Sequence, residues 1–193
     1  MSSTDISLNK DVHHAHEEHD HHHDQNFFEK YIFSQDHKVI AKQFLFAGIF
    51  WGFIGGFLSI IFRLQLGRPV ATFTFLGPIL GNWIVNGKLD PEFYLALVTM
   101  HGTIMVFFVL TAGLSGTFSN FLIPLQIGAR DMASGFMNML SFWVFFLASV
   151  IMFWSLFLET GPAGGGWTVY PPLSALPQAI SGSKGGMTMW LIS

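Results

Sequence analysis

The sequence predicts an all-α protein, a polytopic bundle of transmembrane helices. Of its 193 residues 51% are hydrophobic and only 11% charged, where a soluble globular domain carries about a quarter charged residues. Residues 43–62 are twenty consecutive uncharged positions between Lys42 and Arg63, the length that crosses a hydrocarbon core of about 30 Å. Residues 93–129 form a second run of 37 residues without Asp, Glu, Lys or Arg. The absence of cysteine excludes disulfides, thiolate metal sites and cysteine nucleophiles. The net charge of −3 says little about the bundle, because most of the acidic residues precede position 37.

In chain order, residues 1–26 read as a disordered, His-rich tail. Seven histidines (His13, His14, His16, His19, His21, His22 and His23) are interspersed with Glu17, Glu18, Asp20 and Asp24. Such a tract can hold Zn, Cu or Ni loosely, or simply be a solvated terminus. It lacks the apolar centre of a cleavable signal, so the first membrane helix is expected to drive insertion. Residues 27–39 read as an amphipathic lead-in. The first membrane helix is set at 43–62, with Gly48, Gly52, Gly55 and Gly56 at the spacing that lets helices approach closely in lipid. Residues 67–90 read as a loop with interfacial segments, Phe73, Phe75 and Trp83 being candidates for the interface. Asp90-Pro91-Glu92 is a helix start: a capping acid, a proline in the first turn, then an acid at the positive end of the dipole.

The second helix is set at 91–122, ended by Pro124 and Gly128. A short loop carries Arg130 and Asp131, and the third helix is set at 136–158. Residues 159–186 are Gly- and Pro-rich, with Trp167, Tyr170 and Pro171-Pro172 arguing for an ordered loop packed against something. A fourth apolar segment begins at 187. Seven residues cannot span a bilayer, so the expectation is the N-terminal portion of a longer protein, or one whose remainder is a separate polypeptide. The positive residues divide five (Lys10, Lys30, Lys38, Lys42, Arg130) against four (Arg63, Arg68, Lys88, Lys184) between the two faces, which does not fix orientation.

Three sets of residues could carry chemistry. His101 lies about 13 Å into its helix from Glu92. An ionisable group there is costly and points to function. A neutral imidazole is a natural axial ligand for haem iron, and a plain hydrogen bond to a neighbouring helix is the alternative. Arg63, on the same membrane half, reads as a snorkelling helix-end residue or as a forked donor to a cofactor's carbonyl or carboxylate. At the opposite face, Asn120 and Asn138 flank Asp131 on two adjacent helices. They could order a file of water that passes protons. On spacing alone the favoured reading is a solvated acid paired with Arg130, the amides bonding helix to helix.

Several blocks together resemble subunit I of the haem–copper oxidases: Met100-His101-Gly102-Thr103-Ile104-Met105-Val106-Phe107-Phe108, Asn120-Phe121-Leu122-Ile123-Pro124-Leu125, and Ile127-Gly128-Ala129-Arg130-Asp131-Met132-Ala133. Asn138 with Ser141-Phe142-Trp143 and Gly166-Trp167-Thr168-Val169-Tyr170-Pro171-Pro172-Leu173 continue it, and the last two blocks are specific to the cytochrome c oxidase branch. The resemblance covers about residues 35–193. It implies part of a twelve-helix fold in which His101 is an axial ligand of the low-spin haem, expected to be haem a. Arg63 would donate to that haem's formyl group, and Tyr94 and Trp167 would contact its propionates. Asp131 would be the mouth of the proton-uptake route called the D-channel, with Asn120 and Asn138 just inside. That reverses the reading favoured by spacing alone.

Two departures from the family pattern stand out. Ser134-Gly135-Phe136 replaces the usual Phe-Pro-Arg, and Gln65 stands where many relatives have a Glu of a Ca or Na site, so that site is expected to be absent or weak. By the same resemblance the high-spin haem and copper belong to the complete subunit, their ligands lying on later helices outside these residues. The expected activity is reduction of O2 to water with electrons from cytochrome c, with proton pumping. Expected partners are the remainder of subunit I, subunits II and III, and a cytochrome c or membrane-cytochrome donor, with a respiratory supercomplex as one setting and no nucleic acid. The expected location is the bacterial inner or mitochondrial inner membrane, N-terminus on the cytoplasmic or matrix side. The alternatives are a quinol oxidase of the same superfamily and, from a different class, a haem-free transport or assembly subunit. A nitric oxide reductase would leave the Asp131 group without a purpose.

Overall fold

The computed structural model describes residues 27–70, 72, 77–172, 176 and 185–193. The His-rich tail, Phe73, Phe75, Leu173 and Lys184 lie outside the described residues. The chain divides into two units between Phe33 and Ser34. The first contains α1 (Phe27–Tyr31), a short helix whose Phe27 and Tyr31 rings lie 5.0 Å apart. The amphipathic lead-in expected over 27–39 is therefore broken: residues from His37 onward belong to the next helix.

In the second unit, three helices are long and apolar enough to cross a membrane: α2 (His37–Gly67), α4 (Pro91–Ile127) and α5 (Gly135–Ser155). The protein is an integral membrane helix bundle. α2 has 31 residues, about 46 Å of helix, so both ends reach beyond the hydrocarbon. Its limits are set by capping, not by charge. Asp36 caps it, accepting the Lys38 N–H at 2.9 Å. Lys42 and Arg63 ride on it as exposed residues whose charged tips can reach water.

Between α2 and α4 lie a short helix α3 (Gly77–Leu80), a 3-10 turn (Gly81–Trp83) and a hairpin, β1 (Ile84–Val85) paired antiparallel with β2 (Lys88–Leu89). Its two-residue turn has Asn86 at φ 53° and Gly87 at φ 78°, the double positive φ that Asn-Gly supplies most readily. Asp90 then caps α4, accepting the N–H groups of Glu92 and Phe93 at 3.2 and 3.3 Å.

α4 is one helix in three stretches. It is α-helical over Pro91–Thr103, π-helical over Ile104–Ser115, and α-helical again over Gly116–Ile127. In the middle stretch the Thr111 and Ser115 hydroxyls donate to carbonyls five residues back, Val106 and Leu110. Pro124 does not end the helix as expected. It sits inside, buried, and the stop is Gly128 at φ 69°. A proline costs a helix one N–H, and here the turn that follows it still closes. The Ala129 N–H returns to the Pro124 carbonyl at 2.9 Å and closes the end. α5 is capped by Ser134, which accepts the Met137 N–H at 3.4 Å. The Ser-Gly-Phe departure thus supplies a cap and a residue without a Cβ, which at Gly135 would stand 3.1 Å from the Gln35 carbonyl oxygen. α6 (Gly185–Ile192) is held to α4 by the Trp190 indole N–H, which donates to Thr103 Oγ1 at 2.9 Å.

α2 is the axis of the bundle. α4 runs against its whole length, and α5 packs on it through Phe142 and Phe145 around Phe44. Van der Waals contact drives helix association in lipid, where apolar burial gains little. The backbones meet at Gly48 and Gly113: a Cβ on Gly48 would lie 2.8 Å from Gly113 Cα. Gly55 faces Ile104 and Met105, whereas a Cβ on Gly56 would meet nothing within 4 Å. The outer face of α2 presents Phe46, Phe50, Phe53 and Phe57, Phe53 being 76% exposed. Around the contact seam the buried core includes Trp51, Leu97, Met100, Ile104 and Phe108. Gly161–Gly164 are buried, and the Gly166 N–H donates to Thr99 Oγ1 at 3.2 Å.

Candidate functional site

Chemistry-bearing side chains gather at two levels. Near the half of the bundle where α2 ends and α4 begins, His101 turns toward α2. Its Nδ1 lies 2.8 Å from the Gly55 carbonyl oxygen. A carbonyl can only accept, so Nδ1 donates, and in a neutral ring the lone pair is then on Nε2. Nε2 has no hydrogen-bond partner among the described residues. Gly55 permits this approach, because α2 and α4 are in contact there. The bond is the helix-to-helix contact that one expectation named, and it is also the kind of bond that fixes an imidazole able to bind a metal. The donor set therefore fits a residue that would hold a haem iron.

The Phe62 ring packs edge-on to His101 at 5.6 Å and to Tyr94 at 6.0 Å, so the three rings form one aromatic step. Arg63 follows Phe62, is exposed and makes no ion pair among the described residues. Eight residues past Gly55, it stands about 12 Å further along α2 than the level of His101. Trp167 is not brought to Tyr94. It is 61% exposed and its ring lies 6.0 Å from Phe107, on the other side of His101 along α4 from Tyr94. An apolar groove of about 710 Å³ between α4, α5 and α6 is lined by Thr103, Phe107, Met152 and Trp190 among others. Neither His101 nor Asp131 lines it.

At the opposite face, Asp131 pairs with His37 and not with Arg130. One oxygen, Oδ1, takes three donors: the Met132 N–H at 2.7 Å, the His37 ring Nδ1 at 3.0 Å and the His37 backbone N–H at 3.3 Å. Partial burial raises the carboxyl pKa, but the Met132 N–H, the His37 N–H and the His37 ring together outweigh it. Asp131 is held below its ordinary value. Asp36 Oδ1 lies 3.5 Å from the same His37 nitrogen. Behind this mouth, Asn120 is buried on α4. Its Nδ2 donates to the Gly116 carbonyl at 2.7 Å, while its Oδ1 has no partner. Asn138, in the first turn of α5, has a buried Nδ2 without a partner. The two amides stand on successive helices, and no hydrogen bond joins them among the described residues.

Two residues make contacts that the sequence does not mark. His37 was placed in the interfacial lead-in. The Ser34-Gln35-Asp36 stretch before it is a legible cap signal, but its partner lies 94 residues away and has no local mark. Gln65 was weighed only as a poor cation ligand. Its Oε1 accepts the Leu89 N–H at 3.1 Å, fastening the hairpin to α2.

A family model described as "Cytochrome C and Quinol oxidase polypeptide I" matches residues 39–193. The chain is 42% identical over 171 residues to the alternative cytochrome c oxidase subunit 1 of Bradyrhizobium diazoefficiens, a match taking in 89% of this chain and 26% of that protein. It is 41% identical over 140 residues to the cytochrome c oxidase subunit 1 of Alkalihalophilus pseudofirmus, covering 72% of this chain and 20% of the relative. For Thermostichus vulcanus the figures are 35% over 167 residues, 86% and 26%. The chain spans about a quarter of the length of the curated relatives it matches.

Proposed function

The chain belongs to the cytochrome c and quinol oxidase polypeptide I family, and from that premise we propose that it forms the N-terminal membrane part of a terminal oxidase's catalytic subunit. The complete subunit reduces O2 to water with electrons from cytochrome c and pumps protons. Cytochrome c is the donor favoured here because the relatives named above are cytochrome c oxidases. A quinol donor is the second reading, which the family description also allows.

One observation carries the proposal: the His101 Nδ1–H donates to the Gly55 carbonyl, which fixes the ring and makes Nε2 the atom through which the neutral imidazole can bind a metal. A low-spin haem bound there supplies one-electron transfer between the donor and the oxygen-reducing centre. His101 orients through α2 and cannot rotate without breaking its hydrogen bond. Arg63 offers forked donors and a positive charge on the same half of the bilayer, and a nearby positive charge favours the reduced form of a haem. Tyr94 offers a hydroxyl one aromatic step away. Trp167 is proposed as a propionate contact from the family resemblance alone, since its packing on Phe107 lends no support.

Asp131, Asn120 and Asn138 are proposed as the start of the proton-uptake path. The ionised, half-exposed carboxylate collects protons, and the two amides behind it order their passage. That face, where α2 begins, is then the proton-uptake side, cytoplasmic or matrix, of a bacterial inner or mitochondrial inner membrane. Subunits II and III and the remainder of subunit I are the proposed partners.

The test is a reduced-minus-oxidised spectrum of the assembled oxidase and of its His101→Asn variant. Wild type is expected to show a low-spin haem band, and the variant to lose it at unchanged subunit content. An active wild-type complex without that band would falsify the assignment. Separately, Asp131→Asn is expected to slow proton uptake with both haems bound, and wild-type turnover in that variant refutes the uptake role.

A further inference from the structure

His37 is 2% exposed, titratable, and unused by the function proposed above. Its ring and its backbone N–H both address one atom, Asp131 Oδ1, at 3.0 and 3.3 Å. The Met132 N–H takes the same oxygen at 2.7 Å. Oδ1 is thereby saturated, while Oδ2 has no protein partner among the described residues. A carboxylate so held cannot rotate to exchange its oxygens without giving up three hydrogen bonds. We infer that His37 is a positioning residue for proton uptake: it pins the Asp131 carboxylate by one oxygen and leaves the other as the proton acceptor at the mouth. The inference rests on the proposed role of Asp131.

The surroundings support a fixed donor more than a moving proton carrier. Nε2 of His37 is buried with no partner among the described residues, so every polar contact of the ring there is made by Nδ1, the atom that holds Asp131. Among the described residues His37 is the one basic group within ion-pair distance of Asp131. Asp36 Oδ1 also lies beside that ring nitrogen, at 3.5 Å. The other charged residues at this mouth, Lys38 and Lys42 on α2 and Arg130 on the loop, are exposed and pair with neither. α5 begins without a charge, at Gly135, Phe136 and Met137.

The test uses the assembled oxidase in vesicles and two replacements of similar size. The amide nitrogen of Asn sits where Nδ1 of His sits, and it donates without titrating; Leu fills the space and donates nothing. His37→Asn is expected to keep proton uptake near wild type. His37→Leu is expected to slow it about tenfold, which corresponds to about 1.4 kcal/mol, with the haem spectrum unchanged. The infrared carbonyl band of the protonated Asp131 carboxyl, identified by its loss in Asp131→Asn, is expected to titrate at higher pH in His37→Leu than in His37→Asn. In the Asp131→Asn background, His37→Leu is expected to add no further slowing.

Equal loss in the Asn and Leu variants overturns positioning in favour of proton transfer through the ring. Additive losses, or an unmoved infrared titration, overturn it in favour of a packing role. If His37→Leu does not assemble, the titration in His37→Asn decides alone: agreement with wild type upholds the pinning, and a raised value overturns it. Asp131→Asn with wild-type turnover removes the underlying role of Asp131 and is a separate result from any of these.

Discussion

The Gly48–Gly113 contact invites a controlled perturbation, because the same substitution can be made eight residues away where nothing is touched. An alanine at Gly48 would place its Cβ 2.8 Å from Gly113 Cα, and Gly113 has no side chain to move aside. Carbon atoms settle at about 3.5–4.0 Å, so α2 and α4 must part by about 1 Å. Overpacking of this kind costs about 1–3 kcal/mol. An alanine at Gly56 meets nothing within 4 Å. Both variants gain the same helix propensity, up to about 1 kcal/mol, so their difference isolates the steric cost. The parting also reaches the site. Gly55 lies two turns from Gly48, and its carbonyl holds His101 at 2.8 Å. Stretching that bond by about 0.7 Å takes it out of hydrogen-bonding range. Loss of such an orienting bond costs about 10–100-fold in metal affinity. The assay is denaturant unfolding of the micelle-bound oxidase, with low-spin haem absorbance per subunit read alongside. Gly48→Ala is expected to be less stable than Gly56→Ala by about 1–3 kcal/mol and to lose haem first. Equal stability and equal haem content in the two variants refute the reasoning.

Three further outcomes are expected. The folded-state pKa of Asp131 lies below its ordinary 3.8, so its stabilising contribution is present above pH 3.8 and is lost as pH falls through the lower folded value. The stability difference between wild type and Asp131→Asn is therefore expected to shrink to nothing on acidification, and to be weakened by salt because the carboxylate is half exposed; a difference that grows toward low pH contradicts the sign. Gln65→Leu removes the acceptor for the Leu89 N–H and is expected to cost about 1 kcal/mol and to speed hydrogen exchange at Leu89, while Gln65→Glu keeps an acceptor and the slow exchange. Arg63→Met is expected to lower the low-spin haem potential and shift its visible band, and an unchanged spectrum counts against the formyl contact.

Helix existence was legible because lipid imposes it. Two uncharged runs around Gly48 and His101 left no other way to satisfy the backbone. Helix limits were less legible for the same reason. Charge marks where hydrocarbon ends, whereas a helix stops where its backbone finds caps, so α2 runs past Lys42 and Arg63 to Asp36 and Gly67, and α4 runs through Pro124 to Gly128. The hairpin's mark is Asn86-Gly87, the pair its turn requires, but with only Ile84-Val85 and Lys88-Leu89 beside it the segment reads as loop. The family motifs located His101 and Asp131. The hydrogen bonds that equip both, from Gly55 and from His37, join residues 46 and 94 positions apart and depend on how the helices pack.

The π-helical stretch of α4 gives the bundle slack. Each wide turn holds a residue more than an ordinary one. Deleting a residue between Ile104 and Ser115 can close a wide turn to an α-turn and leave the two ends of the rod facing as before. The half that bears His101 and the half that bears Asn120 can thus each keep their own alignment while the length between them changes.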